Sequence, residues 1–474
     1  MRAPHALALA ILTIASACDV RPAARIPAFD TTGAEPQVAE RLAGLRTVVS
    51  AHPDSAPAWG LLGLSLQAHG YPEAAVQAYS VARSLRPGTF AYAYLPATVL
   101  ADRGDPSAGE LFQQARQLRP DYVPARLREA RWQLDQGHPE RVSGLLDENL
   151  VIEAAPAEAH LLLGQASLAL GDLEGSRSHL ETAVASAPRI GELHAQLAEV
   201  YRRLGLADQA ELSRLRSLTF REEPRTEDPV LAPLYAEGVS SRWYILRGQG
   251  RLAAGEPGEA IAAFERAVEL RPDDAHGWNQ LGIARQAAGE YAGATVAHEQ
   301  ALSLRPEFPD ALINLAAAQF LGGDPQAGLV TARRAVRSDT AAAQAYLNLG
   351  MFEHALGRSD AASASYAAGL ARTPFDTRIA IRLAWIMATD RAAGIRDGRR
   401  AVVLAETVNE IEGYLDPASL DVLAAAYAEY GAFDNALAAA RRAEGTAAQR
   451  GDADLLAAIR RRTSLYATGR PYRE

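Results

Sequence analysis

Two adjacent stretches decide the fold: residues 241–274, SRWYILRGQGRLAAGEPGEAIAAFERAVELRPDD, and residues 275–308, AHGWNQLGIARQAAGEYAGATVAHEQALSLRPEF. Both have 34 residues and place the same kinds of residue at the same positions. The stretch 56–89, APAWGLLGLSLQAHGYPEAAVQAYSVARSLRPGT, follows the same pattern much earlier in the chain. Self-similarity at a fixed period of this size predicts a solenoid, in which one small unit is stacked repeatedly.

Small residues, glycines and prolines recur in phase along the chain. Counted from the first residue of each repeat, positions 8 and 20 hold small residues, which let two helices approach closely. Position 8 holds Gly63, Gly164, Gly248, Gly282 and Gly350, and position 20 holds Ala75, Ser176, Ala260, Ala294 and Ala362. Position 15 holds glycines that predict a left-handed residue after the first helix: Gly70, Gly171, Gly205, Gly255, Gly289, Gly323, Gly357 and Gly431. Prolines that cannot continue a helix close the second one: Pro87, Pro188, Pro272, Pro306 and Pro374.

This pattern resembles the tetratricopeptide repeat (TPR), a helix–turn–helix unit. The resemblance implies an all-α superhelical solenoid of about eleven repeats. We divide the chain into a signal peptide (1–17), a tether (18–36), an N-terminal subarray (37–219), a linker (220–240) and a C-terminal subarray (241–446). The linker breaks the repeat and contains prolines and an acidic run, which is typical of a domain boundary. Residues 447–474 are predicted to form a capping helix and a tail.

The first residues, MRAPHALALAILTIASACDV, have the three parts of a signal peptide. A positive Arg2 precedes an apolar run, and small residues stand directly before Cys18. This arrangement resembles a bacterial lipobox, in which the cysteine is lipidated, although Ala15 stands where that family usually has leucine. We therefore expect export, with Cys18 as the lipid anchor or with ordinary cleavage beside it. Asp19 hints, by analogy with lipoprotein sorting, at retention in the inner membrane.

Composition excludes several classes of function. The chain of 474 residues has a formal net charge of −9, which argues against a nucleic-acid partner, because such proteins need a basic surface. All basic residues are arginine, so a P-loop lysine and a Schiff-base lysine are excluded. Cys18 is the single cysteine, which excludes an internal disulfide and a CxxCH haem attachment.

No motif for catalysis or for a cofactor stands out. The histidines have no HExxH spacing, and His160 and His194, one repeat apart, occupy a position expected to hold a packing residue. Gly248, Gly250 and Gly255 lie inside a predicted helix and its turn, where a dinucleotide loop is not expected. We therefore expect neither enzymatic activity nor a metal or cofactor.

A ligand is expected in the concave groove, which the first helix of each repeat lines. Position 6 gives an amide row, Gln280, Asn314 and Asn348, whose side chains can donate to and accept from a peptide backbone. Asparagine is also the consensus residue of the repeat at this position, so a purely structural role stays open. Position 11 adds Arg251 and Arg285, which suit carboxylates but could equally pair with neighbouring helices.

Two further resemblances cover most of the mature chain. Residues 119–134, RPDYVPARLREARWQL, and 227–238, EDPVLAPLYAEG, resemble bacterial envelope TPR proteins, some of which carry a cytochrome c domain. Residues 383–390, LAWIMATD, and 465–474, LYATGRPYRE, resemble a C-terminal module of bacterial TPR proteins, some fused to membrane glycosyltransferases. These resemblances imply a non-catalytic scaffold that binds proteins or peptides at the cell envelope, lipid-anchored or periplasmic. The alternative is an accessory subunit of an envelope redox or glycan-modifying system.

Overall fold

The computed structural model describes residues 25–146, 149–220, 222, 226–338 and 343–474. The predicted signal peptide and Cys18 lie outside these residues and stay predictions. The helices before the linker are α1 (Pro36–Ala51), α2 (Ala56–Ala68), α3 (Pro72–Leu85), α4 (Phe90–Ala101), α5 (Ala108–Leu118), α6 (Val123–Asp135), α7 (Ser143–Leu146), α8 (Asn149–Ala154), α9 (Pro156–Ala169), α10 (Leu173–Ser186), α11 (Gly191–Arg203) and α12 (Ala207–Thr219).

A short helix, α13 (Ala232–Glu237), lies in the linker. The remaining helices are α14 (Ser241–Ala253), α15 (Pro257–Leu270), α16 (Ala275–Ala287), α17 (Tyr291–Leu304), α18 (Pro309–Leu321), α19 (Pro325–Arg337), α20 (Ala343–Ala355), α21 (Ser359–Arg372), α22 (Thr377–Thr389), α23 (Gly398–Ile411), α24 (Pro417–Tyr430), α25 (Phe433–Arg450) and α26 (Ala453–Tyr466). Within the described residues the only β contact is an isolated bridge between Ile190 and Glu222.

Consecutive helices pack in pairs, from α2 with α3 to α24 with α25. The first helix of a pair also contacts the first helix of the next, as α14, α16, α18, α20, α22 and α24 do in turn. Stacked in this way, the first helices line one continuous side of the solenoid, called the inner face below. The predicted all-helical TPR solenoid is confirmed for the described part of the chain, and α26 packs on α25 at its end.

The small residue at position 8 is where the two helices of a repeat touch. A Cβ built on Gly350 would lie 2.4 Å from the ring of Tyr366, sixteen residues later. Gly282 faces His298 at 2.4 Å in the same register, and the other position-8 glycines face large side chains in the same way. Real Cβ atoms do not approach so closely, so glycine is required there by the distance between the helices.

The glycines at position 15 have the predicted backbone conformation. All eight have positive φ, between 74° at Gly357 and 98° at Gly323. L-residues with a side chain avoid this region, so glycine ends the first helix at little conformational cost. The turn between the helices of a repeat is therefore fixed by one residue.

Position 4 carries a hydrogen bond that joins successive repeats. Its side chain donates to the carbonyl of a proline six residues earlier, where the preceding unit ends. The donors and acceptors, 2.8 to 2.9 Å apart, are Trp59 and Pro53, Arg126 and Pro120, His194 and Pro188, and Trp278 and Pro272. In these four repeats the bond explains why position 4 holds a large residue with an N–H group, and why His194 is there.

A further contact joins the two subarrays. Arg216 of α12 donates from Nε to the carbonyl of Ile411 at 2.9 Å and from Nη2 to that of Glu410 at 3.1 Å. These carbonyls lie at the C-terminal end of α23, where a cation is favoured by the helix dipole. The contact fixes α12 against the C-terminal subarray.

Candidate functional site

The inner face of the N-terminal subarray is occupied by the chain itself. Residues 226–240 leave α12, run back along the first helices and place α13 against α2. Leu231 is buried in the N-terminal core, and Val230, Leu234 and Val239 pack against it. The segment that separates the two subarrays in sequence is therefore packed into the groove of the first one.

Asp228 is the main polar anchor of this segment. Its side chain is 10% exposed and accepts hydrogen bonds from the hydroxyls of Tyr94 and Tyr122, each at 2.5 Å. Arg128 Nε lies 3.4 Å from the same carboxylate. Burial and the hydrogen bond to Asp228 raise the pKa of Tyr122 to about 12 and that of Tyr94 further, so both phenols stay protonated and donate.

Backbone and charged groups hold the rest of the segment. Arg41 of α1 donates to the carboxylate of Glu237 at 2.7 Å, and the amide of Val239 donates to His69 Nε2 at 3.1 Å. Just after the segment, the indole of Trp243 in α14 donates to the carbonyl of Ala68 in α2. Residues in or directly beside helices α1, α2, α4 and α6 therefore bind a stretch of polypeptide through side chains that recognise both its backbone and its acidic residues.

The predicted amide row lies on the inner face of the C-terminal subarray, but its three members differ. Gln280 is half-buried, and its Nε2 lies 3.4 Å from His276 Nε2 on the same helix. Asn314 donates to Asn279 of the preceding repeat at 3.2 Å. Asn348 is 9% exposed and donates to the carbonyl of Ile313 at 3.4 Å. Asn314 and Asn348 thus join neighbouring repeats, whereas the side chain of Gln280 hydrogen-bonds within its own helix.

We expect the two ends of this row to respond differently to truncation. Asn348→Ala should lower the free energy of unfolding by about 1–2 kcal/mol, because it removes a buried hydrogen bond between α18 and α20. Gln280→Ala should change it by less than about 0.5 kcal/mol. Urea denaturation followed by far-UV circular dichroism measures both. Equal losses would contradict the assignment of Asn348 as an inter-repeat contact.

The predicted arginines both have carboxylate partners within the chain. Arg285 donates to Glu265 at 2.9 Å, and its side chain is 22% exposed. Arg251 lies 2.7 Å from Glu256 and is half exposed. It also lines a cleft of about 1210 Å³ between α6, the segment 226–236 and α14. Of the two predicted arginines, Arg251 is therefore the one that a ligand in this cleft could reach.

His298, which the sequence did not single out, lies beneath the amide row. It is fully buried, with Nδ1 2.9 Å from Asn279 Oδ1 and Nε2 3.1 Å from Gln286 Oε1. Burial lowers the pKa of His298 to about 4, so the imidazole is neutral at pH 7. Its role is to join α16 to α17 beneath the candidate surface.

The remaining histidines do not form a metal site in the described part of the chain. His160 Nδ1 lies 3.0 Å from His179 Nδ1, a pair joining the two helices of one repeat. His194 bonds the carbonyl of Pro188 instead of pairing with His160. Where residues are described, no three His, Cys, Asp or Glu side chains come close enough to hold a metal ion. Nor is any described helix both long and apolar enough to cross a bilayer.

Comparison with known proteins identifies the repeat. Residues 245–301 and 323–377 match the family model described as Tetratricopeptide repeat. The chain contains tetratricopeptide repeats. The matched TPR segments include Arg251, Gln280, Arg285 and Asn348, and Asn314 lies between them. No curated protein matches the sequence.

Several solved TPR-like structures are similar to the chain at low identity. MamA (41–end) from Desulfovibrio magneticus RS-1 is 23% identical over 34% of this chain and 93% of its own, with a TM-score of 0.33. Yeast Tom70 is 13% identical over 86% and 96%, with a TM-score of 0.39. PilW, described as a widely conserved type IV pilus biogenesis factor, is 21% identical over 48% and 98%, with a TM-score of 0.29.

Proposed function

We propose that this chain is a non-catalytic scaffold that binds extended segments of partner proteins along the inner face of its C-terminal subarray. The observation that carries the proposal is the docking of residues 226–240 on the N-terminal inner face. That contact uses an arginine for an acidic side chain, a histidine for a backbone amide and apolar side chains for packing. On the C-terminal inner face, Arg251 lies on α14, His276 on α16 and His354 on α20, and α18 contributes the amide of Asn314. A partner segment would bind these groups as the linker binds those of the N-terminal subarray.

We further propose that the scaffold acts at the bacterial cell envelope. The support is the export pattern of residues 1–17 and the position of Cys18 directly after small residues. A lipid on Cys18 would tether the solenoid to the membrane through the following residues, leaving the inner face free for protein partners. The net charge of −9 supports proteins rather than nucleic acid as those partners.

A cross-linked pull-down from the native membrane fraction tests the proposal. The full chain is compared with Gln280→Ala/Asn314→Ala/Asn348→Ala. We expect the wild type to capture a defined partner and the triple variant to retain at least about tenfold less, as loss of central contacts predicts. Gln280→Ala alone should weaken capture without changing the thermal midpoint, which separates binding from stability.

A matched control uses exposed residues of the second helices. Glu299, Arg334 and Asp360 lie on α17, α19 and α21, outside the inner face. Their triple alanine variant should capture as much partner as the wild type. Unchanged capture by the amide variant would contradict the proposed location, and no partner for the wild type would contradict the scaffold function.

A further inference from the structure

Residues 470–474 form a second extended segment on the inner face, at its C-terminal end. Helix α26 ends at Tyr466, and the chain then crosses back to the end of α22 without regular secondary structure. The amide of Glu474 donates to the carbonyl of Thr389 at 2.9 Å, and Arg391 Nε donates to the carbonyl of Glu474. Both backbone groups of this residue are therefore recognised.

The side chain of Glu474 lies at a site for a carboxylate. The indole of Trp385 donates to Glu474 Oε2 at 2.7 Å. His354 Nε2 lies 3.6 Å from the same oxygen. An indole N–H can only donate, so the site favours a side chain that accepts hydrogen bonds, such as a carboxylate.

An aromatic residue two positions earlier occupies the neighbouring site. The ring of Tyr472 lies 5.9 Å from that of Trp385. The guanidinium of Arg462 lies over both rings, 5.5 Å from Tyr472 and 5.4 Å from Trp385. Such stacking of a cation on aromatic faces is favourable and tolerates any aromatic residue.

Arg473 anchors the segment through an ion pair with Glu429 at 2.5 Å. Its two recognised side chains, Tyr472 and Glu474, are nevertheless less firmly held than the groups that receive them. Arg462 makes two hydrogen bonds to Asp421, at 3.0 and 2.5 Å, and both side chains are largely buried. Glu474, in contrast, is 46% exposed, and Tyr472 is half-buried. A rigid site with a half-exposed occupant can exchange that occupant without unfolding of the solenoid.

The site also continues beyond the segment. A cleft of about 540 Å³ begins at Glu474 and extends between α20, α22 and α24. Arg378 and Arg382 line it, and no ion-pair partner of Arg382 is found among the described residues. A longer peptide could therefore continue past the position of Glu474 with an acidic residue facing Arg382.

We propose that this end of the inner face is a binding site for an extended peptide with an aromatic residue followed two positions later by an acidic one, and that residues 470–474 occupy it in cis. The proposal rests on the proposed scaffold function, because it takes the inner face as a peptide-binding surface. It adds the chemistry of the partner: an aromatic ring for Trp385 and Arg462, and a carboxylate for the Trp385 indole. The chain's own segment competes with that partner.

The test uses the full-length chain and a fluorescein-labelled peptide of residues 465–474, LYATGRPYRE. Tyr472→Ala/Glu474→Ala removes the two recognised side chains of the internal competitor and leaves Trp385, Arg462 and Arg391 in place. We expect this variant to bind the peptide at least about tenfold more tightly than the wild type, since an attached competitor acts at an effective concentration near millimolar. Fluorescence anisotropy measures the affinity. Arg470→Ala, which changes an exposed residue of the same segment, should bind the peptide like the wild type.

A second variant shows where the peptide binds. Adding Arg391→Ala to the double variant should lower its affinity for the labelled peptide again. An unlabelled peptide with alanine in place of Tyr472 and Glu474 should not displace the labelled one. Equal affinity of wild type and double variant, or no binding to either at 1 mM, about the affinity of the weakest specific contacts, would overturn the proposal. If that occurs while the amide variant still loses its partner, the scaffold function stands and this inference alone fails.

Discussion

Gly350→Ala should destabilise the C-terminal subarray by about 2–3 kcal/mol. The new methyl group would lie 2.4 Å from the ring of Tyr366, which is 1% exposed and belongs to a hydrophobic core cluster. The higher helix propensity of alanine, about 0.5–1 kcal/mol, does not offset an overlap of this size. Denaturation followed by circular dichroism, with hydrogen exchange to locate the loss, should show the effect in α20 and α21.

The same substitution at Gly250 should have the opposite sign. Gly250 lies within α14, and a Cβ there would meet nothing within 4 Å. Gly250→Ala should therefore stabilise by about 0.5–1 kcal/mol through helix propensity alone. Truncating the ring, in Gly350→Ala/Tyr366→Ala, should cost less than the sum of the two single changes, because each relieves the other. Additive losses, or destabilisation at Gly250, would contradict contact between the helices as the cause.

The repeat could be predicted from the sequence because its determinants are local and periodic. The glycine at position 8, the glycine at position 15 and the closing proline each act within one helix pair, so each recurs every 34 residues wherever the period is kept. In four repeats the structure adds the bond from position 4 to the proline six residues earlier. That signal is also periodic and could have been found in the sequence.

The docking of residues 226–240 could not be predicted, because its contacts follow no period. Asp228 is 134 residues from Tyr94 and 106 from Tyr122, and nothing in the spacing relates them. The break in the repeat and the likeness to envelope proteins both mark this segment in the sequence, but neither indicates where it lies in the fold. The contact between Glu474 and Trp385, which are 89 residues apart, could not be predicted for the same reason.

The amide row shows an intermediate case. The repeat places residues 34 or 35 positions apart on adjacent first helices, so one row can serve the groove and also join the helices. Asn314 contacts Asn279 and Asn348 contacts Ile313, each pair 35 residues apart. The period predicts where the row lies. Which of its amide side chains remain free to hydrogen-bond a ligand depends on side-chain packing, which the repeat pattern does not specify.

Asp228→Ala should lower the free energy of unfolding by about 3 kcal/mol and release residues 226–240 from the N-terminal inner face. The substitution removes the acceptor of two largely buried tyrosine hydroxyls and the carboxylate beside Arg128. The buried donors then lack partners, which costs more than the hydrogen bonds contribute. Denaturation measures the energy, and hydrogen exchange or limited proteolysis should show faster opening of the segment.

Two further variants separate the causes. Glu227→Ala, at the exposed neighbour, should leave both stability and proteolysis unchanged. Asp228→Asn keeps an acceptor for one hydroxyl but loses the charge beside Arg128, so it should fall between the wild type and the alanine variant. If Asp228→Ala behaved like Glu227→Ala, the segment would be held by Leu231, its apolar neighbours and the contacts of Glu237 and Val239, without a contribution from Asp228. Release of the segment would also uncover the N-terminal part of the inner face. The side chains that bind the linker, such as Tyr94, Tyr122 and Arg128, would then be available to a partner protein.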